Sequence, residues 1–356
     1  MKNSDLKLAD AVQLNYTNSD ELCIIRKRKG KRFIYTDSGG NEIMDKKTLY
    51  RIDSLVIPPG WEDVLICTNK NGHIQAVGRD SRGRKQYIYH PFWSELSSTN
   101  KFSKLIDFAH ALPSIRKHVE FDLKKKSLTR EKVLAVIIKL MESTLIRIGN
   151  NIYAEQNNSF GLTTLKDKHL EVDGYSLNFE FIGKSGKPFK ITVADQRLAR
   201  IVKKCQDLPG QRLFQYIDET GTRRTVESVD VNNYLNRVIE KNFTAKDFRT
   251  WGATLKAAKE LKEIPLTQNE KENKRNIIKA IKHTAHELNN TPAVCRKYYL
   301  HPAIIDAYLD GYLFKVMNSH SPGKQPKYGL DYYERAVLKI LLKYNGNNDV
   351  KIKLIN

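Results

Sequence analysis

Three cationic side chains and one pair of tyrosines stand where their chemistry could be put to use. Arg147 lies in Thr144-Leu145-Ile146-Arg147-Ile148-Gly149-Asn150, directly after a long apolar segment. A guanidinium in such a stretch is costly unless it meets an anion, either a core carboxylate or a ligand. Lys184 sits in Phe181-Ile182-Gly183-Lys184-Ser185-Gly186-Lys187, which reads as the turn of a hairpin, where a lysine is ordinarily just solvated. Arg249, in Lys246-Asp247-Phe248-Arg249-Thr250-Trp251-Gly252, falls at an expected helix start, where free amides also favour an anion. The run from Asn290 through Thr291-Pro292-Ala293-Val294-Cys295-Arg296-Lys297 ends in Tyr298-Tyr299, tandem rings of which one is expected buried and one exposed. Each signal is weak alone; together they are the means of holding an anion.

Other chemistries lose their usual support. The chain has no Walker A loop, no GxGxxG, no HExxH and no GxSxG, and no closely spaced carboxylates of the kind that hold catalytic magnesium. Neither cofactor nor metal is expected. The cysteines Cys23, Cys67, Cys205 and Cys295 are far apart and in no metal-ligand spacing, which suits a reducing cytosol. The start, MKNSDLKLAD, lacks the apolar core of a signal peptide, and Val133–Met141, broken by Lys139, is too short to span a bilayer. A soluble, cytoplasmic protein is the expectation.

The elements that must position these residues divide the chain in two. Strands are expected at Cys23–Arg26 and Arg32–Tyr35 about the basic turn Arg28-Lys29-Gly30-Lys31, with a further turn over Asp37–Asn41 and a short helix over Lys46–Arg51. Ile57-Pro58-Pro59-Gly60 breaks the chain. Asp63–Thr68 and Ile74–Val77 form a hairpin about Asn71-Gly72, and Gln86–Tyr89 adds a strand after the basic loop Arg79–Lys85. Ser94–Asn100 is polar and aperiodic, a linker. Helices follow over Lys101–Leu112, from Pro113, and from the N-cap Thr129 to Ile146, with Val133, Ile137, Leu140 and Ile148 as core candidates. Leu170–Val172, Leu177–Ile182 and Phe189–Val193 make a small antiparallel sheet. Helices are then expected at Gln196–Cys205, Val231–Lys241, Phe248–Leu261, Glu270–Leu288, Pro292–Leu300 and Asp331–Lys343, before a Lys-rich tail. The fold class is α+β: a small β-rich N-terminal domain over residues 1–95 and a larger, mainly helical catalytic domain with one small sheet over 96–356.

Composition adds a partner. Hydrophobic residues at 40% and charged residues at 28% are ordinary for a globular chain of 356 residues. The balance of 61 Lys and Arg against 40 Asp and Glu is not, and its formal +21 suits a nucleic acid. A Lys-rich proteome would leave the same mark.

In their order, these landmarks resemble the type IB DNA topoisomerases of the poxvirus and bacterial branch. That family is similar in its succession of Arg, hairpin Lys, Arg, a His or Asn, and a nucleophilic Tyr nine positions later; here these are Arg147, Lys184, Arg249, Asn290 and Tyr299. The flanks also resemble it: Gly161-Leu162-Thr163-Thr164-Leu165-Lys166-Asp167-Lys168-His169, Phe181–Lys184, and Val77–Tyr89, similar to that family's DNA-contacting strand. The likeness spans roughly Val56 to Pro302, about two thirds of the chain. It implies that Tyr299 attacks a backbone phosphate to give a 3′-phosphotyrosyl link. Arg147, Arg249 and Asn290 would bind the nonbridging oxygens and Lys184 would protonate the departing 5′ oxygen. It further implies resealing without ATP and relaxation of supercoils of either sign. Arg84, Gln86, Tyr87, Tyr89, Tyr153, Lys166 and Lys168 would be the DNA contacts, and a monomer would clamp the duplex.

Two departures stand out. Poxvirus members carry His where this chain has Asn290, which can donate a hydrogen bond but cannot titrate near neutrality; bacterial members resemble it in having Asn. The stretch Gly149-Asn150-Asn151-Ile152 lacks the Lys that in poxvirus members touches bases, which weakens any transfer of their cleavage preference. A tyrosine recombinase would use a similar residue set but usually has His three positions before the second Arg, where Lys246 stands here. A DNA- or RNA-binding protein without catalysis would form no covalent adduct.

Overall fold

The structure is a computed structural model and describes residues 9, 13–18, 21–30, 32–81, 83–319 and 326–353. Of the residues used above, Lys31, Arg82, nearly all of the first ten and the last three of the tail lie outside these. The chain divides into two compact units, Met1–Phe102 and Ser103–Asn356. Among the described residues no helix is long and apolar enough to cross a membrane.

The first unit is built on a five-stranded antiparallel sheet. Strands β1 (Ile24–Lys29), β2 (Arg32–Thr36), β3 (Glu62–Ile66), β4 (Ile74–Arg79) and β5 (Lys85–Tyr89) lie in the order β2-β1-β3-β4-β5. Helix α1 (Lys46–Ser54) covers one face through Ile52, which packs with Ile24, Val64, Ile66 and Ala76. Strands β3 and β4 form the antiparallel hairpin expected about Asn71-Gly72. The connection runs from Cys67 to His73, and Gly72 is required for close approach, because a Cβ there would meet Cys67 Sγ at 2.6 Å.

In the second unit helix α2 (Pro91–Leu123) begins ahead of the unit boundary and overrides two expectations. Ser94–Asn100 is helical, not a linker. It contains no Gly or Pro, and the modest propensity deficits of Ser, Thr and Asn do not stop a helix. Pro113 lies inside the same helix instead of opening another. Its neighbours Phe108, Leu112 and Ile115 are buried, and burial of about 1.5–3 kcal/mol per large apolar side chain outweighs a proline cost near 3 kcal/mol.

Helix α3 (Arg130–Thr144) is the centre of the core, with Val133 through Ile138, Leu140 and Met141 all buried. Thr129 caps it as expected, accepting from the Lys132 N–H. Helix α4 (Asn151–Asn157) was not anticipated from the sequence. Strands β6 (Leu170–Asp173), β7 (Ser176–Ile182) and β8 (Pro188–Ala194) form the three-stranded antiparallel sheet. Helix α5 (Gln196–Gln206) follows, then a two-stranded ribbon of β9 (Gln215–Ile217) and β10 (Arg223–Thr225), also unanticipated. Helices α6 (Ser228–Ile239), α7 (Ala245–Lys262), α8 (Glu270–Glu287), α9 (Pro292–Tyr298), α10 (Pro302–Leu309), α11 (Tyr312–Asn318) and α12 (Tyr332–Lys353) complete the unit. Helices α3, α7, α8 and α9, with the loops that end them, carry the residues of interest.

Candidate active site

Arg147 owes its position to the way α3 stops. Leu145 takes a left-handed conformation, φ 56°, and turns the chain out of the helix. The backbone is then pinned: Arg147 O accepts from Leu162 N–H at 2.9 Å and Ile148 O from Thr163 N–H at 2.7 Å. This crossing is so close that a Cβ on Gly161 would lie 2.5 Å from Arg147 O and from Gly149 N. The guanidinium donates from Nη2 to Asn290 Oδ1 and, at 3.5 Å, to Asn289 O. Burial pulls its pKa down, and the Tyr299 phenol, which it hydrogen-bonds, pushes back.

Arg249 is 3% exposed, on α7. The helix starts at Ala245, three residues ahead of the expected start, so Arg249 lies in its second turn, beyond the free amides. Its attraction for anions comes from the guanidinium alone. Nη1 donates to Leu145 O and Nη2 to Leu288 O at 2.9 Å. Nε is buried without a partner. Burial first, and then repulsion by Arg147, bring its pKa down to about 10. Gly252, one turn on, lets α7 lie against Leu145; a Cβ there would come within 2.5 Å of Leu145 Cδ2. Among the described residues no carboxylate forms an ion pair with Arg147 or Arg249, so the core-carboxylate alternative for Arg147 does not hold.

Asn290 and Tyr299 flank α9. After α8, Asn289 turns at φ 51°, and Thr291 caps α9 with Pro292 in its first turn. Asn290 accepts from Arg147 through Oδ1, while its Nδ2 is buried and unpartnered. Tyr299 is the C-cap of α9. Its N–H donates to Cys295 O at 3.0 Å and its carbonyl accepts from Thr254 Oγ1 at 3.2 Å. Its ring packs against Leu145, Ala253 and Leu288, with Arg249 Cζ 5.2 Å from the ring centroid. Burial pushes the phenol pKa up, but the charges of Arg249 and Arg147, a hydrogen bond from Arg249 and the charge of Lys246 outweigh it, and the net shift is downward. Tyr298 is 43% exposed, with Lys297 Nζ 5.4 Å from its ring. The tandem pair is split into an exposed Tyr298 and a half-buried, not fully buried, Tyr299 that faces the cations.

The fold therefore brings Arg147, Arg249, Asn290 and Tyr299 together. Lys184 is not in that cluster: it stands exposed on the β7–β8 turn, whose Ser185 and Gly186 both have positive φ. Tyr153 is exposed on α4. Lys166 donates to Gln211 Oε1 at 3.2 Å, and Lys168 is exposed on a single 3₁₀ turn, Asp167–His169. In the first unit Arg84 and Gln86 both bind Asp80, through Arg84 Nη2 at 2.6 Å and Gln86 Nε2 at 2.9 Å. Tyr87 and Tyr89 stack at 5.8 Å and lie on the exposed face of β5, opposite Gln86 and Ile88. The sequence reading did not place Asn289, Thr254, Lys246 and the carbonyls of Leu145 and Leu288 among the site residues. Main-chain acceptors leave no residue-type signal, and the type and spacing of Lys246 speak only against a recombinase.

Comparison with known proteins bears on this arrangement. Residues 91–315 match the family described as "Eukaryotic DNA topoisomerase I, catalytic core". Residues 32–80 match "Bacterial DNA topoisomerase IB, N-terminal domain". The chain is 34% identical over 294 residues to DNA topoisomerase 1B of Acanthamoeba polyphaga mimivirus, covering 80% of this chain and 87% of that protein. It is 24% identical over 276 residues to DNA topoisomerase 1B of Vaccinia virus (strain Copenhagen), covering 75% and 80%. With DNA topoisomerase 1 of Schizosaccharomyces pombe it shares 26% identity over 174 residues, 48% of this chain and 20% of the yeast protein.

Proposed function

The chain belongs to the type IB DNA topoisomerases, and from that premise we propose that Tyr299 is the residue through which it cuts and reseals DNA. Its substrate is DNA. The observation that carries the assignment is a phenol beside two guanidinium groups that no carboxylate among the described residues neutralises. Two buried donors, Arg249 Nε and Asn290 Nδ2, are left without partners in the protein. A buried donor without a partner costs about 1–3 kcal/mol, and a phosphate oxygen would satisfy both.

The reaction follows from these groups. Tyr299 sheds its proton to solvent, helped by the cations that lower its pKa, and its oxygen attacks the phosphorus in line. The P–O5′ bond breaks as the P–O bond to Tyr299 forms, and the ammonium of Lys184 gives a proton to the departing 5′ oxygen, leaving a neutral amine and a 5′ hydroxyl. Arg147, Arg249 and Asn290 hold the nonbridging oxygens, whose charge rises in the pentacoordinate state; each such preorganised donor contributes roughly a hundred- to a thousandfold in rate. Resealing reverses the steps. The phosphotyrosyl link keeps the bond energy, so ATP is not consumed, and the free end swivels to relax supercoils of either sign.

Tyr153, Lys166 and Lys168 in the second unit, and Arg84, Gln86, Tyr87 and Tyr89 in the first, are the proposed duplex contacts, with 1–95 and 96–356 as the two working domains of a monomeric clamp in the cytoplasm. Supercoiled plasmid incubated with the protein, EDTA and no ATP tests the reading. Relaxation with a detergent-trapped adduct, lost in Tyr299→Phe while DNA binding persists, supports it. Activity that survives in Tyr299→Phe moves the nucleophile to Tyr298, and binding without relaxation or adduct by the wild type ends it.

A further inference from the structure

We propose that Asn289 is a positioning residue for Lys184: its side-chain amide anchors the hairpin that presents the general acid to the phosphate-binding cluster. This rests on the reading of Lys184 as the proton donor. The tip that bears Lys184 is short and closed on itself by Gly183 N–H to Lys187 O at 2.8 Å. Directly beneath it, both legs are anchored outside the sheet. On one leg Ile182 O accepts from Phe160 N–H at 2.8 Å. On the other, Pro188 O accepts from Asn289 Nδ2 at 2.8 Å. Pro188 has no N–H, so its backbone can only accept, and the amide must donate from Nδ2.

The other end of this tether lies in the phosphate site. Residues 288–290 divide the work: Leu288 O holds Arg249, Asn290 Oδ1 holds Arg147, and the Asn289 side chain holds the hairpin. Asn289 O also lies 3.5 Å from Arg147 Nη2. The general acid and the oxygen clamp are therefore referenced to one stretch of backbone. A lysine ammonium rides on a flexible four-carbon stem, so the placement of its Cα decides whether it reaches the leaving oxygen. A displacement of about 1 Å can cost on the order of a hundredfold in rate. Asparagine also tolerates the left-handed φ of 51°, which alone could account for its presence. Glycine separates the two roles, because it keeps that conformation and removes the amide.

The test is single-turnover cleavage by the full-length protein on a nicked-release DNA substrate, once with an ordinary phosphodiester and once with sulfur in place of the bridging 5′ oxygen. A thiolate leaves without protonation, so a defect in proton delivery disappears on the sulfur substrate. Asn289→Gly should be slowed roughly ten- to a hundredfold on the oxygen substrate and stay within about threefold of wild type on the sulfur substrate, with DNA affinity and melting temperature unchanged. Asn289→Asp, which tolerates the left-handed φ as asparagine does but has no N–H to donate to Pro188 O, should give the same pattern and carries the test if the glycine variant folds poorly. Lys184→Ala should show a larger loss with the same recovery. If Lys184→Ala recovers on sulfur but both Asn289 variants lose rate equally on the two substrates, or lose none, Asn289 does not act through Lys184. If Lys184→Ala fails to recover, the general acid lies elsewhere and the assignment to Asn289 falls with it.

Discussion

Changing Asn290 to Asp exchanges one atom and should separate stability from activity. Asn290 Oδ1 accepts from Arg147, and Nδ2 is buried without a partner. The substitution keeps the acceptor, now charged, and turns the free donor into a second acceptor. Loss of a preorganised donor costs about 2.7–4 kcal/mol of barrier. A carboxylate about 4 Å from the phosphate adds repulsion near 4 kcal/mol at the effective dielectric of such sites. The sum is roughly 7–8 kcal/mol, so cleavage should fall by at least about three-hundredfold even if half of it is relieved by relaxation. Folding should not suffer, because Arg147 gains an ionic partner and hydrogen bonds to charged groups contribute about 1.5–3 kcal/mol. Single-turnover cleavage of an oligonucleotide and urea unfolding measure the two effects. Asn290→His, which restores a donor, should cleave within about tenfold of wild type. The reasoning is refuted if Asn290→Asp cleaves within tenfold of wild type, for then Nδ2 does not face the phosphate.

Other substitutions probe separate parts of the argument. Arg249→Lys cannot serve Leu145 O and Leu288 O and a phosphate together; cleavage should drop at least about a hundredfold, and unfolding in urea should show a loss of about 1–3 kcal/mol. Gly161→Ala forces a Cβ to within 2.5 Å of Arg147 O; we expect about 1–3 kcal/mol of destabilisation and slower cleavage, and an unchanged cleavage rate would mean that this crossing does not place Arg147. The cleavage rate should rise with pH to a plateau whose midpoint lies below the ordinary tyrosine value near 10, and Arg249→Ala should move that midpoint upward; an unmoved midpoint would show that another group is being titrated. His169, whose pKa burial and the nearby Lys168 and Lys166 hold down to about 4, is neutral in the fold and accepts from Lys166 N–H at 3.1 Å. Its folded value lies below its unfolded one, so its contribution is complete above about pH 6.5 and is lost as pH falls from there to 4, by at most about 3 kcal/mol. Urea midpoints at pH 7 and 4.5 should differ less in His169→Gln.

What could be read from the sequence was whatever residue type and local spacing encode. The apolar run that became α3, its cap Thr129, and the alternation of β7 and β8 all carry their own signals. Helix α2 does not: Ser94–Asn100 and Pro113 look like a linker and a start, and only the flanking burial overrides them. The short helices α4, α10 and α11 offer too few residues to establish a period. At the site, Arg147, Arg249, Asn290 and Tyr299 were legible as an order of residues. The acceptors that hold them were not, because Leu145 O and Leu288 O exist for this purpose only where two helix ends meet α7. Tyr299 could be preferred to Tyr298 by its offset from Asn290; the structure adds which ring faces the cations.

A comparison among arginines explains why the site is built from neutral acceptors. Arg116, in the same unit, is held by Glu142 at 2.7 Å and by Glu334 at 2.6 Å; burial opposes its charge, but these carboxylates more than restore it and raise its pKa. That guanidinium is satisfied and has nothing left for a ligand. Arg249 is buried and Arg147 half-buried, neither pairs with a carboxylate among the described residues, and both have lowered pKa values. Their orienting acceptors are one amide oxygen and three backbone carbonyls. Leu145 and Leu288 are the C-caps of α3 and α8, so Arg249 meets the negative ends of two helix dipoles. Each such end stabilises a cation by about 0.3–1 kcal/mol, and up to about 2 when partly buried. This fixes the fork of the guanidinium without cancelling its charge, and leaves Nε free for the phosphate that the proposed function assigns to it. A carboxylate in the same place would orient Arg249 as well and stabilise the empty protein more, but it would repel the phosphate and return the Tyr299 phenol toward its ordinary pKa. On the proposed reading, the two guanidinium groups are held in an electrostatically unfavourable setting that a phosphate would relieve, and the buried apolar core along α3 is what makes that setting tolerable.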